Sequence, residues 1–308
     1  MRVIVVGLGI QGRKRLRFAG EDVVATVDPY VAADFARLED VPLERYDAAL
    51  LCVPDAPKVA MIQYLIDHGK HFLVEKPLFS ESDEGLAELA TVAERRRVVG
   101  YTAYNHRFEP HIVSLKEALE AGTLGRIYRV RLFYGNGTAR DVRDSQWRDQ
   151  QAGVLPDLGS HLLDLLLFWL GALPDALQVQ AARRFENRAF DHILCLADGE
   201  VLVELEMTLL SWRNHFVAEL YGERGSAHIA SLCKWGPSSL TFYERQLPSG
   251  RPPSHEVTLT QPDPTWEREY AHFSALCQGG GQGNLANDVV INRVLNRLSR
   301  EALTRFPA

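Results

Sequence analysis

Long apolar runs are missing from this 308-residue sequence, and so is any surplus of basic charge. The stretch from Leu162 to Leu170 is interrupted by Asp164 and falls well short of the roughly 20 residues a membrane-spanning helix needs. Lys and Arg number 34 against 40 Asp and Glu, a net charge of −6 with both signs interspersed, so the basic footprint of a nucleic-acid binder is lacking. Cysteine is scarce. Cys52, Cys195, Cys233 and Cys277 lie far apart and form no C-x-x-C pair, which signals neither a zinc site nor a disulfide framework, and no metal is expected. They read as reduced core residues. Internal repeats and low-complexity tracts are also missing, and 46% apolar with 24% charged residues excludes disordered and fibrous chains. The opening Met1-Arg2-Val3-Ile4-Val5-Val6 is too short an apolar run for a signal peptide, so a cytoplasmic protein is expected.

What is present is a change of pattern about a third of the way along. A chain of this length exceeds what one core usually serves, so two domains are expected. Short β-branched runs at Arg2–Val6, Val23–Val27, Ala48–Val53, His71–Val74 and Val98–Tyr101 predict strands. Between them Gln11–Ala19, Lys58–His68 and Ser82–Glu94 carry apolar residues at helical spacing. That alternation predicts a Rossmann-type, doubly wound parallel sheet over residues 1–108. Beyond it, helices at His111–Ala121 and Ser160–Leu170 and alternating strands at Ile127–Tyr134, Gln178–Ala182, His192–Leu196, Val201–Thr208, Phe216–Tyr221 and Ser226–Ala230 predict an open, mainly antiparallel sheet flanked by helices over residues 109–308. Asp198-Gly199 is a hairpin signal, the five prolines of 247–264 predict a loop, and a last amphipathic helix is expected from Leu285 to Leu303.

Gly7-Leu8-Gly9-Ile10-Gln11-Gly12 fits G-x-G-x-x-G and stands between a predicted strand and a predicted helix, the context that gives the motif its meaning. Its glycines allow a tight turn, close approach of the backbone to a pyrophosphate, and close helix packing, while the helix N-terminus offers N–H groups to the phosphates. Asp28 closes the second strand, where a carboxylate accepts from adenosine ribose hydroxyls and repels a 2′-phosphate; with Pro29 after it, a turn or cap aspartate is the other reading. NAD(H) is therefore favoured over NADP(H). Arg13, Lys14 and Arg15 keep NADP(H) open, although such a run more commonly forms a solvated helix face.

Glu75-Lys76-Pro77 ends a strand of the parallel sheet, where ligands sit, and Pro77 restricts the backbone of Lys76; an exposed surface lysine is the alternative. Asp157 and His161 are four residues apart at the start of an apolar helix, with Asp164 three further on, so they can share a face. Histidine is the side chain suited to take a proton from an alcohol near neutral pH, oriented by a carboxylate. A core histidine beside a capping aspartate is the plainer reading of that pair alone. Arg140, Arg143, Trp147 and Arg148 form a basic stretch that suits either an anionic substrate or a solvated loop.

Together the glycine loop, Glu75-Lys76-Pro77, Asn105-His106-Arg107-Phe108 and Asp157-x-Gly159-x-His161-x-x-Asp164 resemble the glucose-fructose oxidoreductase, inositol 2-dehydrogenase and MocA-like oxidoreductase family over most of the chain. The resemblance implies an NAD(P)-dependent dehydrogenase that moves a hydride between nicotinamide and a hydroxyl or keto carbon of a sugar, inositol or sugar nucleotide. It implies that Lys76, Asp157 and His161 are catalytic: Lys76 at the nicotinamide ribose and the reacting hydroxyl, Asp157 orienting, His161 as base or acid. It further implies cofactor contacts from Gly7, Gly9, Ile10, Gln11, Gly12, Asp28, Cys52, Val53, Pro54, Glu75, Lys76 and Asn105, and substrate contacts from Lys76, Arg107, Trp147, Arg148, Asp157 and His161. Assembly into a homodimer or homotetramer through the second sheet is implied too. Two departures stand out: Ala152-Gly153-Val154 replaces consecutive glycines, and Asp55 and Lys58 stand where a Ser/Thr-Pro pattern and a histidine are common. Neither Asp55 nor Lys58 receives a chemical role. A reductase of C=N or conjugated C=C bonds and a nucleotide-sensing regulator are the competing readings, the latter disfavoured by the intact Lys76, Asp157 and His161.

Overall fold

The computed structural model describes residues 1–145 and 148–307. Its chain forms two units, 1–105 with 265–293 and 106–264 with 294–308.

The first unit holds β1 (Val3–Val6), α1 (Ile10–Ala19), β2 (Val23–Val27), β3 (Ala48–Leu51), α2 (Asp55–Asp67), β4 (His71–Glu75), α3 (Asp83–Arg95) and β5 (Gly100–Ala103). Its strands pair in parallel in the order β2-β1-β3-β4-β5. Continuous apolar runs such as Val3-Ile4-Val5-Val6 and Ala48-Ala49-Leu50-Leu51 are buried on both faces, as a helix-covered parallel sheet requires. The core joins Ile4, Val6, Leu51, Phe72 and Val74 to Ile62, Leu65 and Ile66 of α2 and Leu86 and Leu89 of α3. Strand order reverses between β1 and β3, so the loops after these two strands flank the point where an open α/β sheet leaves a crevice.

The second unit holds α4 (Pro110–Glu120), β6 (Ile127–Gly135), α5 (Ala139–Arg143), α6 (Ser160–Leu170), β7 (Gln178–Arg183), β8 (His192–Ala197), β9 (Leu202–Thr208), β10 (His215–Gly222), β11 (Gly225–Ala230), β12 (Ser238–Glu244) and β13 (Ser254–Leu259). The eight strands run in the order β13-β12-β11-β10-β6-β9-β8-β7, antiparallel except for the β6–β9 pair. Strict alternation in β8, β9 and β10 buries one face and leaves the other half-exposed. α6 lies against β6 on the buried face and is apolar nearly all round.

Several expectations are corrected. The boundary at 108/109 is not a single crossing, because helix α7 (Thr265–Gly279) and the front of α8 (Leu285–Arg305) return to the first unit. There Asn284 bonds Thr102 on both sides, N–H to Oδ1 at 2.6 Å and Nδ2–H to O at 2.8 Å, and Asn292 bonds Ser80 and Asp83. The loop expected over 247–264 contains β13, and β12 and α7 lie in segments given no element. The run Arg13-Lys14-Arg15 is not a solvated face. Arg13 and Lys14 are exposed, but Arg15 is 1% exposed and donates at 2.7 Å to both Glu75 and Glu269.

Candidate functional site

In the first unit the loop after β1 abuts the loop after β3. A Cβ on Gly7, whose φ is +88°, would stand 2.5 Å from the Cys52 carbonyl oxygen, and one on Gly12 would stand 1.8 Å from the Gly7 carbonyl oxygen. Only glycine fits at either place. A Cβ on Gly9 would meet nothing within 4 Å among the described residues, so the loop is open on the side from which a pyrophosphate reaches its backbone. α1 starts at Ile10 with Gly9 as a cap lacking a side chain, which leaves the first N–H groups of the helix for an anion; Ile10 and Gln11 are exposed there. This cradle fits a dinucleotide.

Asp28 ties β2 to the same loop, accepting from the Leu8 N–H at 2.7 Å and, in its own turn, from Tyr30 at 2.8 Å and Val31 at 3.2 Å. Partial burial works against its charge, but the three N–H groups outweigh it and hold the carboxyl below its usual range. Cys52, Val53 and Pro54 form the turn from β3 into α2, where Pro54 is the N-cap.

Glu75-Lys76-Pro77 closes β4, with a cis bond between Lys76 and Pro77. Two buried cations meet this turn. Arg15 holds the Glu75 carboxylate, and Lys58 donates to the Glu75 and Pro77 carbonyls at 2.7 and 2.8 Å and to Asp55 at 2.7 Å. Burial pushes the Lys58 ammonium below its ordinary value, against the charges of Asp55 and Glu75. Asn105, expected at the nicotinamide, is buried and donates to Thr265 Oγ1 at 2.9 Å.

In the second unit Asp157 sits on a single π-helical turn, Leu155–Gly159, that leads into α6, a local geometry that recurs at functional sites. Gly159 lets this turn close on β9: a Cβ there would be 2.8 Å from Met207 Sδ. His161, in the first turn of α6, is 6% exposed. Its ring stacks on His106 at 4.0 Å between centroids and meets the Tyr134 ring edge-on at 5.7 Å. Burial first, and then the negative charge of Asp157, push the Tyr134 phenol above its ordinary value. Lys234 Nζ donates to His106 Nε2 at 2.8 Å, and Trp235 lies 5.8 Å from Tyr134.

Three of the expected substrate residues, Arg107, Arg148 and Asp157, are held in ion pairs. Arg148 donates to Asp157 at 3.1 Å, and Arg107 grips Asp164 through Nε and Nη2 at 2.6 to 3.0 Å. Burial raises the Asp164 carboxyl and Arg107 opposes the shift. The continuing face imagined for Asp157, His161 and Asp164 is thus divided: Asp157 pairs with Arg148 and Asp164 with Arg107. Trp147 lies outside the described residues. Reading by motif missed His106, Tyr134, Lys234 and Trp235. Glu109 was missed as well; fully buried, it caps α4 through the His111 and Ile112 N–H groups and also accepts from Cys233 N at 3.1 Å, fixing the turn that carries Lys234. In sequence only His106 had a signal, as a neighbour of Asn105 and Arg107.

The NAD-binding Rossmann fold of an oxidoreductase family matches residues 1–104, and the GFO/IDH/MocA C-terminal domain matches residues 112–228. Inositol 2-dehydrogenase 1 of Saccharopolyspora erythraea is 33% identical over 74% of this chain and 66% of its own. An inositol 2-dehydrogenase of Corynebacterium glutamicum is 23% identical over 91% of this chain and 93% of its own. Among solved structures, levoglucosan dehydrogenase in complex with NADH and levoglucosan superposes with a TM-score of 0.80 at 16% identity, over 99% of this chain and 97% of that one, which shows a shared fold.

Proposed function

Because the chain belongs to the GFO/IDH/MocA oxidoreductase family, we propose that it is an NAD(H)-dependent dehydrogenase acting on a hydroxyl or keto carbon of a cyclic polyol, sugar or sugar nucleotide. One observation carries the reading: a buried histidine, His161, directly follows the π-helical turn that bears Asp157 and is packed between His106 and Tyr134. That setting holds an imidazole in one orientation, which general acid–base catalysis needs. The bound nicotinamide would supply the hydride acceptor or donor. In oxidation the substrate O–H proton passes to His161, and the Lys76 ammonium stabilises the alkoxide as it forms. In reduction both roles reverse. Asp157, paired with Arg148, orients the substrate or the imidazole, and Arg107 acts through Asp164 by keeping α6 in place.

Gly7, Gly9, Ile10, Gln11 and Gly12 would receive the pyrophosphate, Asp28 the ribose hydroxyls, and Cys52, Val53, Pro54, Glu75 and Asn105 would line the rest of the nucleotide site. The preference for NAD(H) rests on Asp28, whose carboxyl is kept ionised and would repel a 2′-phosphate. No helix among the described residues is long and apolar enough to cross a membrane. Placement in the cytoplasm belongs to the same reading and is supported by the four free cysteines. Assembly as a homodimer or homotetramer would use the half-exposed sheet face, where Arg129 and Arg131 pair with Glu204.

The test is binding of NAD(H) and NADP(H), followed by the absorbance of reduced nicotinamide over a panel of inositols, sugars and sugar nucleotides. Lys76→Ala and His161→Ala are expected to cut turnover to a small residual rate while keeping cofactor affinity. Tight cofactor binding with no turnover on any panel member would sink the dehydrogenase reading.

A further inference from the structure

Asp55 and Lys58 are the residues that the motifs leave without a chemical role, and Lys58 is 2% exposed. A lysine ammonium has three N–H donors. Here they meet three acceptors: Asp55 Oδ1 at 2.7 Å, the Glu75 carbonyl at 2.7 Å and the Pro77 carbonyl at 2.8 Å. The two carbonyls belong to the residues on either side of Lys76. Burying an ammonium is unfavourable unless it is paired and fully hydrogen-bonded, and a surface turn could have left both carbonyls to water. The arrangement therefore does something a plain turn does not. It pins the main chain immediately before and after one side chain, while Arg15 pins the neighbouring Glu75 carboxylate at 2.7 Å.

On the reading that Lys76 serves the reacting hydroxyl, we propose that Lys58 is its positioning residue, a buried clamp on both carbonyls that bracket Lys76 and so fix where its ammonium is presented. Lys58 touches neither cofactor nor substrate in this role and acts wholly through Lys76. Asp55, whose side chain is 40% exposed, is the counter-ion that keeps the clamp charged.

The experiment compares the full-length protein with Lys58→Met, which keeps the stem and removes the donors, in two readouts. The first needs no substrate: competitive acetylation of lysines by acetic anhydride, read by peptide mass spectrometry with and without saturating NADH. In the wild type NADH should shield Lys76 strongly, and in Lys58→Met that shielding should fall by about tenfold because the side chain is no longer held in place. The second is a cycle on kcat with Lys76→Ala. Lys58→Met should lower kcat by about 10²-fold when Lys76 is present and by less than about threefold when it is alanine. A role confined to stability would leave shielding unchanged in the folded fraction and give equal losses in both backgrounds; either result overturns the proposal. Should Lys58→Met not fold, Lys58→Gln takes its place, keeping a polar end on a shorter side chain that falls short of both carbonyls, and unchanged shielding of Lys76 in that variant overturns the clamp as well. If the wild type turns over no member of the panel, the dehydrogenase reading fails while the labelling still judges the clamp.

Discussion

Replacing Arg15 with methionine should destabilise the first unit by about 3–5 kcal/mol, the range for removing one partner of a buried ion pair. Arg15 is 1% exposed and Glu269 is 0% exposed, so the loss takes a cation 2.7 Å away from a carboxylate shut off from water. Glu75, at 13% exposure, keeps some hydration and contributes less. Loss of the guanidinium above the Trp266 ring, 4.4 Å from its centroid, adds about 0.5–1 kcal/mol. Methionine retains the packing of the aliphatic stem, so the deficit reports the charge rather than a cavity. A unit of this size should then melt about 10 °C lower or more.

A second substitution sharpens the test. Arg15→Met/Glu269→Gln should recover at least about 1 kcal/mol, because a neutral amide is less unfavourable to bury than a carboxylate that has lost a cation. Urea unfolding followed by circular dichroism measures both. A variant within 1 kcal/mol of wild type, or a double variant no more stable than the single one, would refute the reasoning.

Three further outcomes follow from single contacts. Burial lowers the His71 pKa, and its Nδ1 accepts from Val99 N at 2.9 Å, so stability is full above about pH 6.5 and falls as pH drops below it; a melt series should show this slope, flattened in His71→Gln. Gly12→Ala, whose Cβ would stand 1.8 Å from the Gly7 carbonyl oxygen, should abolish NADH binding by fluorescence titration, whereas Gly9→Ala, with open space at the loop itself, should fold normally and weaken binding. Asp191 is fully buried and accepts from the Phe185, Glu186 and Asn187 N–H groups, so Asp191→Ala should lower stability by about 3 kcal/mol, read as a shifted urea midpoint.

β1 and β3 of the first unit were legible because they are buried on both faces, which writes them as unbroken apolar runs, and the glycine loop because Gly7 and Gly12 answer to close approaches within the first unit. β13 was not legible. Ser254-His255-Glu256-Val257-Thr258-Leu259 is exposed almost throughout, so no buried face imposes alternation, and three prolines just before it read as loop. Helix α7 was hidden by its address: Thr265–Gly279 follows the second unit in sequence but packs in the first, and local periodicity carries no record of which sheet a helix will cover. The same limit applies to the candidate site. Lys76, Asp157 and His161 stand in short motifs, whereas Lys234 reaches His106 across 128 residues and depends on Glu109 to hold its turn. No spacing rule spans such a distance.

Arg13, Lys14 and Arg15 are the instructive case, since their chemistry is nearly alike and their fates differ. Arg13 is exposed and reaches back to the Leu8 carbonyl at 3.2 Å, Lys14 lies 4.7 Å from the Trp266 ring centroid, and Arg15 is buried between two acids. What separates them is helix phase. Gly12 must face the sheet because it packs against Gly7, and positions three and seven further on fall on that same face, which are Arg15 and Ala19, the other buried residues of α1. The phase was therefore written in the glycine motif, and reading the run as a block of charge discarded it. A cation forced onto that face has to be met by carboxylates, and Glu75 and Glu269 supply them from 60 and 254 residues away. Glu75 in turn precedes Lys76. The third glycine of the cofactor loop thus sets, through one turn of helix, which basic residue braces the strand end from which Lys76 projects, and this links the nucleotide cradle and the proposed catalytic lysine within one unit.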